Sequence, residues 1–560
     1  MALTHEQVDE MRRLMADFLD EVDATIDASE VPVDGGPLDH LELSGDTLDV
    51  LIGSPGVSPP EGTHIGSVIG RDAEGLEVEL DEVVLLDDAD GRFRLDSNAT
   101  GNMLVATGRL ADFEDPGDPA NGVNPRPIQY YAVVITTLAG DLTVTTEFRI
   151  RPRYPHIDPA GGEGCTVVKP TGMSGLYGEL GAASGKVVSL EKMTGVHKAT
   201  GLNQLKPKLT RVSVVGHPAV CMRHGQAWMF RDGNDVVVEG MAFRAGMPSS
   251  AKEIDNLTVG EGATDWVRNM HFRNCSFSSS NDELMRVNDT DKDGGHACRH
   301  IRLSYCMFAE AFFDANHPKG TQHNHGPALS GRCQDIVMDH CLIGSNDIRN
   351  PQLTYAIHGV AVVNCLIFHW LEHTNFAGIN VVGCSSGTQS EAWPLTCRIE
   401  GNLFHPVGRG DNSYGERRNA IFLYRLDGSK VNVYIPDGGS RPNHFISPVN
   451  DSFHDDLLVI DDGITIRECW SDFAVNRGTP PFEWAPAFEQ VLHPTETEEQ
   501  RRDLFADIME HAGNGSQYDA DIKELIRAGT TRMNVTPDQH AARYGAEWDG
   551  VGGSLKHGVC

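Results

Sequence analysis

The sequence predicts an all-β-dominated chain whose middle is a right-handed parallel β-helix, with an N-terminal β-sandwich domain and short helical terminal segments. Three observations predict it. One eight-residue pattern recurs along the chain; its apolar residues alternate with period two; and one position in it keeps a small, soft or amide character. The pattern reads VVVEGMAF at 236–243, MHFRNCSF at 270–277, IRLSYCMF at 301–308, IVMDHCLI at 336–343, VAVVNCLI at 360–367 and CRIEGNLF at 397–404, with a weaker copy, VSVVGHPA, at 212–219. Copies follow one another at about 24 to 37 residues, the length of a solenoid coil with variable loops. Each copy is two short strand-like alternations joined by a bend.

The sixth position runs His217, Met241, Cys275, Cys306, Cys341, Cys365 and Asn402. One coil cannot bury its apolar face alone, so coils stack and like residues lie over like. A run of cysteines at one position is therefore read as a buried interior column of small apolar residues, neither bridged nor metal-bound. The units are rich in Val, Ile, Phe and Cys, which argues against helical repeats. Leucine-rich repeats need recurrent Leu at fixed offsets, and these are absent.

The flanks follow in order. Residues 1–45 are read as a helix and linker for attachment, with helical spacing at Val8, Met11, Met15, Phe18, Leu19 and Val22. Residues 46–152 turn to period-two patterning with Gly/Asp turns and form the β-sandwich. Residues 153–165 are a linker, and 166–470 the β-helix. The solenoid opens with a strand, a short helix and a strand in TVVKPTGMSGLYGELGAASGKVVSLEKMTG, the helix covering the first coil. Residues 471–560 are helical, with a capping box at Thr497 and Gln500 and a stop at Gly513. This tail suits end capping or subunit contact.

Lys and Arg total 46 against 80 Asp and Glu, a net charge of -34. That balance excludes unaided nucleic-acid binding, which rewards clustered cations. No stretch approaches the ~18 apolar residues of a membrane span. The N-terminus lacks the apolar core and cleavage site of a secretory signal, so the sequence implies a cytoplasmic protein or one released by lysis with a virion. A polyanionic ligand would need a local basic patch or a bound cation such as calcium.

Chemistry is expected on the longest loops, between Phe277 and Val360. The runs SSSNDELMRVNDTDKDGGH, EAFFDANHPKGTQHNHG and GSNDIRNPQLTYAIHG hold the densest gathering of His, Asp, Lys and Arg, on adjacent coils. The run NCSFSSSNDELM, IRLSYCMFAE, NHPKGTQHNHGPALSG and RNPQL followed by AIHGVAVVNCLIFHW resembles the pectate lyase superfamily, a β-helical family also seen in phage tailspike and tail-fibre proteins. The resemblance implies that Arg349 is a Brønsted base at a uronate carbon, that Lys319 or His325 binds or acts on substrate, and that Asp282, with Glu283, holds calcium. The sequence departs from the family at Arg286, where a second carboxylate belongs, at Gln352–Thr354, where a second arginine belongs, and at Gly326 and Pro327, where a lysine belongs.

Bland readings stand beside these. Arg349 pairs with Asp347 or caps a loop carbonyl; His317, His323 and His325 bind a metal or face solvent; Asp289, Asp291 and Asp293 form a calcium loop or an acidic turn. Trp370, Trp393 and Tyr414 stack on sugar rings or pack at coil edges. Asp314, His317, His323, Trp393 and Tyr414 are the expected substrate contacts. Residues 47–152 resemble a cadherin-like or Ig-like repeat through HIGSVIGRDAEG, DGRFRLDSNATGNMLVATGRLADFE and YYAVVITTLAGDLTVTTEFRIRP, with Phe93, Asp96, Gly101, Leu110 and Glu114 at its core and acidic positions. The sequence leads to a phage tail-fibre or tailspike-like receptor-binding protein. It would be carried on the virion tail, joined to other tail proteins through its N-terminal region, homotrimeric, and would engage host surface polysaccharide. The alternatives are an exported bacterial polysaccharide lyase or glycosidase and a structural or adhesive surface protein.

Overall fold

The computed structural model describes segments of residues 37–153, 166–448 and 492–528, three short strands at 457–459, 466–468 and 474–476, and positions 536, 538 and 539. The helix expected within residues 1–45 lies outside the described residues. The chain divides into two compact units, the first made chiefly of residues up to Pro152 and the second mainly of residues from Arg153 onward.

The first unit is the two-sheet β-sandwich. One sheet orders the strands Leu38–Leu43, His64–Asp72, Gly101–Ala106 and Phe93–Asn98, and the other Asp49–Leu51, Leu142–Arg153, Tyr131–Ala139 and Glu82–Asp87. Alternate residues point inward, burying Leu41, Phe93, Leu104, Val133, Ile135, Phe148 and Ile150. The unit starts earlier than residue 46. Leu38–Leu43 pairs antiparallel with His64–Asp72 and buries Leu38, Leu41 and Leu43, so this segment is sandwich and not linker. Asp96 forms a surface pair with Arg94 at 2.8 Å.

The second unit is a parallel β-helix of three sheets with 11, 10 and 8 strands. The first sheet begins with Thr166–Val168, Ser184–Ser189 and Lys208–Val215 and climbs coil by coil to Val431–Tyr434 and Ala474–Asn476, so the solenoid runs past residue 470. Parallel register places Val212, Val236, Met270, Ile301, Ile336, Val360 and Cys397 in one interior row. In the second sheet Phe243, Phe277 and Phe308 stack at 5.1 and 4.8 Å. The helix α1 (Met173–Gly181) lays Leu176 and Leu180 into the same core and closes its first coil.

The bend from the first to the second sheet explains the recurrent sixth position. The fifth position, Gly240, Asn274, Tyr305, His340, Asn364 and Gly401, adopts a left-handed backbone with φ between 49 and 65°. That turn throws the sixth side chain inward. Cys275, Cys306, Cys341 and Cys365 are buried, unbridged and in one core. Their Sγ atoms lie 3.3–3.5 Å from the carbonyl oxygens of Val238, Phe272, Leu303 and Met338 on the coil before. Asn402 continues the row by donating to Val362 O at 2.9 Å. His217, in the weakest copy, is only half-buried.

The helical tail neither caps an end nor stands free. The helices α2 (Glu498–His511) and α3 (Gln517–Arg527) cover the outer face of the second sheet. Leu504, Phe505, Ile508, Met509, Tyr518, Ile522 and Ile526 pack on Ala242, Met307, Leu342, Leu366, Phe368 and Leu403. That outer row is apolar because it is not a surface. The capping box forms: Thr497 Oγ1 accepts from Gln500 N at 3.2 Å and Gln500 Oε1 accepts from Thr497 N at 2.9 Å. Fully buried Arg244, on the sheet, donates to Ser276 O at 2.7 Å and lies 3.5 Å from Asp519 of α3.

Candidate functional site

The bend from the second to the third sheet differs from coil to coil in length, and charged residues collect on it. Successive coils deliver Asp255, then Asp282 and Glu283, then His325, then Arg349. Backbone bonds lock these levels together: Asn256 N donates to Glu283 O at 3.2 Å, Leu284 N to His325 O at 3.1 Å, and His325 N to Asp282 O at 3.3 Å. Asn256, Asn281 and Asn346 fix the bend by accepting from Ala245 N, Ile254 N and Ala311 N. Gly326 is needed where it stands, since a Cβ there would meet Arg349 O at 2.0 Å. This glycine lets the coil carrying Arg349 lie close.

Three carboxylates converge. Asp282 and Glu283 are 3% and 2% exposed, and Asp255 is also buried. Glu283 N donates to Asp255 Oδ1 at 3.1 Å. Two guanidiniums compensate. Arg286 reaches Glu283 at 2.6 Å, Asp255 at 3.5 Å and Asp282 at 3.7 Å. Arg349 NH1 is bonded to Glu283 Oε1. The side chains of Arg286 and Arg349 are 24% and 26% exposed, so both reach solvent from above a buried carboxylate floor. Two imidazoles flank Asp282: His325 Nδ1 at 3.5 Å and His317 Nε2 at 3.7 Å, the latter also 3.9 Å from Glu253.

These surroundings split the acids. Burial, then the charge of Glu283, pushes Asp282 up to about 7. Burial and Glu283 likewise raise Asp255. Burial opposes the charge on Glu283 too, but His325, Arg349 and Arg286 outweigh it and hold Glu283 well below the usual carboxylate range. Two adjacent acids are thus driven apart, Asp282 exchanging its proton near neutrality while Glu283 stays ionised, the pattern that separates a proton-exchanging group from a fixed anion.

Asp282, Glu283 and His325 offer ligand atoms within 4.8 Å of one another, as do Glu253, Asp282 and His317. The donors do not fit calcium, which takes six to eight oxygens. Imidazoles and guanidiniums occupy the surroundings, and Arg286 supplies the positive charge that a cation would bring.

Of the residues expected at a site, Asp282, Glu283, His317, His325 and Arg349 come together. Lys319, His323, Asp314, Trp393 and Tyr414 lie outside the described residues, as does Asp347, the alternative partner for Arg349. Asp255 and Glu253 were not anticipated. They lie about 30 residues before Asp282 in KEIDNLTV, and only the stacking of coils brings them in.

No protein-family model matches the chain, nor does any curated protein sequence. Among solved structures, a pectate lyase from Bacillus sp. N165 in complex with trigalacturonate is similar at 12% identity and a TM-score of 0.36, covering 63% of this chain and 94% of that one. A polygalacturonate lyase fused with a self-assembling amphipathic peptide is similar at 10% identity and a TM-score of 0.32, covering 62% and 91%. A mutant pectate lyase of Bacillus subtilis is similar at 10% identity and a TM-score of 0.29, covering 63% and 92%.

Proposed function

We propose that this bend is the active site of an enzyme that cleaves an acidic polysaccharide by β-elimination. One observation carries the reading: on a chain of net charge -34, two partly exposed guanidiniums stand together over buried acids, one of them poised near neutrality. Elimination beside a uronate carboxylate needs three things. Positive groups must hold that carboxylate and the charge that develops on it. A base must take the proton from the adjacent carbon, and an acid must protonate the departing oxygen as the carbon–oxygen bond breaks and a carbon–carbon double bond forms.

We assign the first task to Arg286 and Arg349, with Lys319 of the neighbouring loop. Asp282, between His317 and His325, is the proton-exchanging group. Glu283 stays ionised and orients both arginines, and its bond to Arg349 favours a charge-stabilising role for that residue over a base role. Asp314 and His323 share the Lys319 loop, and Trp393 and Tyr414 remain candidates for stacking on sugar rings.

The test is incubation of the purified chain with a panel of acidic polysaccharides, followed by ultraviolet absorbance of the unsaturated product. Arg349→Ala is expected to remove turnover while leaving weakened binding. Full turnover by Arg349→Ala overturns the assignment. Binding with no product from any polysaccharide would favour the receptor-binding reading, in which a homotrimer on a virion tail engages host surface polysaccharide by avidity.

A further inference from the structure

The opposite bend holds a second cluster that the reading above does not use. His340 sits on the solenoid at the left-handed position of its coil, and His493 and Asp507 come from the C-terminal segment laid against it. Their ligand atoms all lie within 4.8 Å of one another. His340 is 2% exposed. Its Nδ1 lies 3.5 Å from Asp339 Oδ1, while its Nε2 is buried without a hydrogen-bond partner among the described residues. The His493 ring meets that of His340 edge-on at 5.1 Å, and His493 Nε2 lies 3.9 Å from Asp507 Oδ2.

The surroundings orient these groups. Tyr305, one coil below, stacks on His340 at 4.9 Å and donates its hydroxyl to Asp507 Oδ2 at 2.8 Å. His511 Nδ1 lies 3.2 Å from Asp507 Oδ1. A buried imidazole nitrogen with no partner is costly unless something occupies its lone pair. A second imidazole and a carboxylate stand beside this ring. Tetrahedral bonds of about 2.0–2.1 Å set such ligand atoms about 3.3 Å apart. Closing to that spacing takes a small movement of His493, which is 27% exposed and backed by solvent.

We infer that His340, His493 and Asp507 form a binding site for a zinc-class divalent transition ion, which staples the C-terminal helical layer to the side of the β-helix. Two imidazoles and one carboxylate suit zinc, cobalt or nickel and not the all-oxygen ions calcium and magnesium. Water completes the fourth position from the exposed side. Tyr305 and His511 bear on Asp507 as outer partners that fix its orientation. His340 precedes His493 and Asp507 by more than 150 residues, so an ion binding only the docked layer stabilises it by mass action.

The test uses the full chain, stripped with chelator and titrated with Co2+ and Zn2+. One ion per chain is expected, with a visible Co2+ spectrum of low-symmetry coordination and a rise in the melting temperature that calcium does not reproduce. His340→Asn keeps a residue tolerant of the left-handed backbone, and His493→Gln leaves the main-chain bonds of 493 to Asn364 intact. Each is expected to weaken binding at least tenfold and remove the thermal shift. A His317→Gln, His325→Gln double variant, altered only at the other cluster, is expected to keep both. Unchanged affinity in both single variants, no binding at 1 mM ion, or loss of the signal in the double variant overturns the site.

Discussion

Two of the three bends of the coil obey different physics. The bend between the first and second sheets has the same length in every strong copy of the repeat. A left-handed residue is followed by an inward one, and each level repeats the hydrogen bond of the level below. The bend between the second and third sheets changes length from coil to coil and buries carboxylates held by arginines. Stacking of identical small groups stabilises the first, and compensation of unlike charges the second. A solenoid can therefore vary one bend freely while the other keeps its coils in register.

The largest effect that would test this contrast is at Arg286. Arg286→Ala leaves Glu283 to Arg349 and His325 and takes the guanidinium from Asp255 and Asp282, all three acids being buried. Uncovering a buried ionic group costs about 3–5 kcal/mol. Urea unfolding of the variant should show a loss of that size, and a loss under 1 kcal/mol would mean that charge compensation does not hold this bend.

The next effect is the pH dependence that Asp282 gives this bend. Asp282 has a folded value of about 7 against an ordinary value of 3.8. The folded protein therefore binds this proton more tightly than the unfolded chain. Stability from the protonated acid is complete below about pH 4, falls as pH rises toward 7, and changes no further above it. Glu283, whose value is depressed, works the other way: its contribution is present above the ordinary carboxylate range and is lost only at lower pH. Asp282→Asn removes the share of the falling limb that belongs to Asp282. The stability of the variant relative to the parent should grow by ~2–4 kcal/mol between pH 4 and 7. A difference that stays constant with pH would remove Asp282 as the near-neutral group.

Most of the first bend was legible in the sequence and little of the second was. Cys275, Cys306, Cys341 and Cys365 recur because one geometry repeats, and repetition along a chain is visible without coordinates. Leu176 and Leu180 of the opening helix were legible for a similar local reason. The carboxylate cluster does not repeat. Asp255, Asp282, His325 and Arg349 stand on different coils at unequal spacings, and their meeting follows from loop lengths that no periodicity encodes. Asp282, His325 and Arg349 were reached through the charge density of those loops together with the resemblance of that run to a known family, and His317 through the charge density and its spacing from the other histidines. Arg286 was seen as a departure, and its role as counter-ion to three acids required the fold. The C-terminal layer was missed because the apolar outer row Met307, Leu342, Leu366 and Leu403 reads in sequence as part of a buried strand, whatever covers it.

The smallest effect belongs to the cysteine column of the first bend, where no charge is at stake. Cys341 is fully buried between Cys306 and Cys365, with its Sγ 3.3 Å from Leu303 O on the coil below. Its thiol is pushed up by burial first, so it behaves as a small apolar group and not as a thiolate. Cys341→Phe must fit a ring into a column spaced for sulfur, forcing neighbouring side chains off their rotamers at a cost of roughly 1–3 kcal/mol. Because the coils share one core, the strain should spread to the levels of Cys306 and Cys365, and hydrogen exchange should quicken there before it quickens near Arg286. The loss should also be independent of pH between 4 and 7, unlike that at Asp282. A neutral substitution would mean that the column is not tightly packed. A loss larger than that of Arg286→Ala would reverse the contrast, making stacked sulfur, and not paired charge, the stronger constraint on the coil.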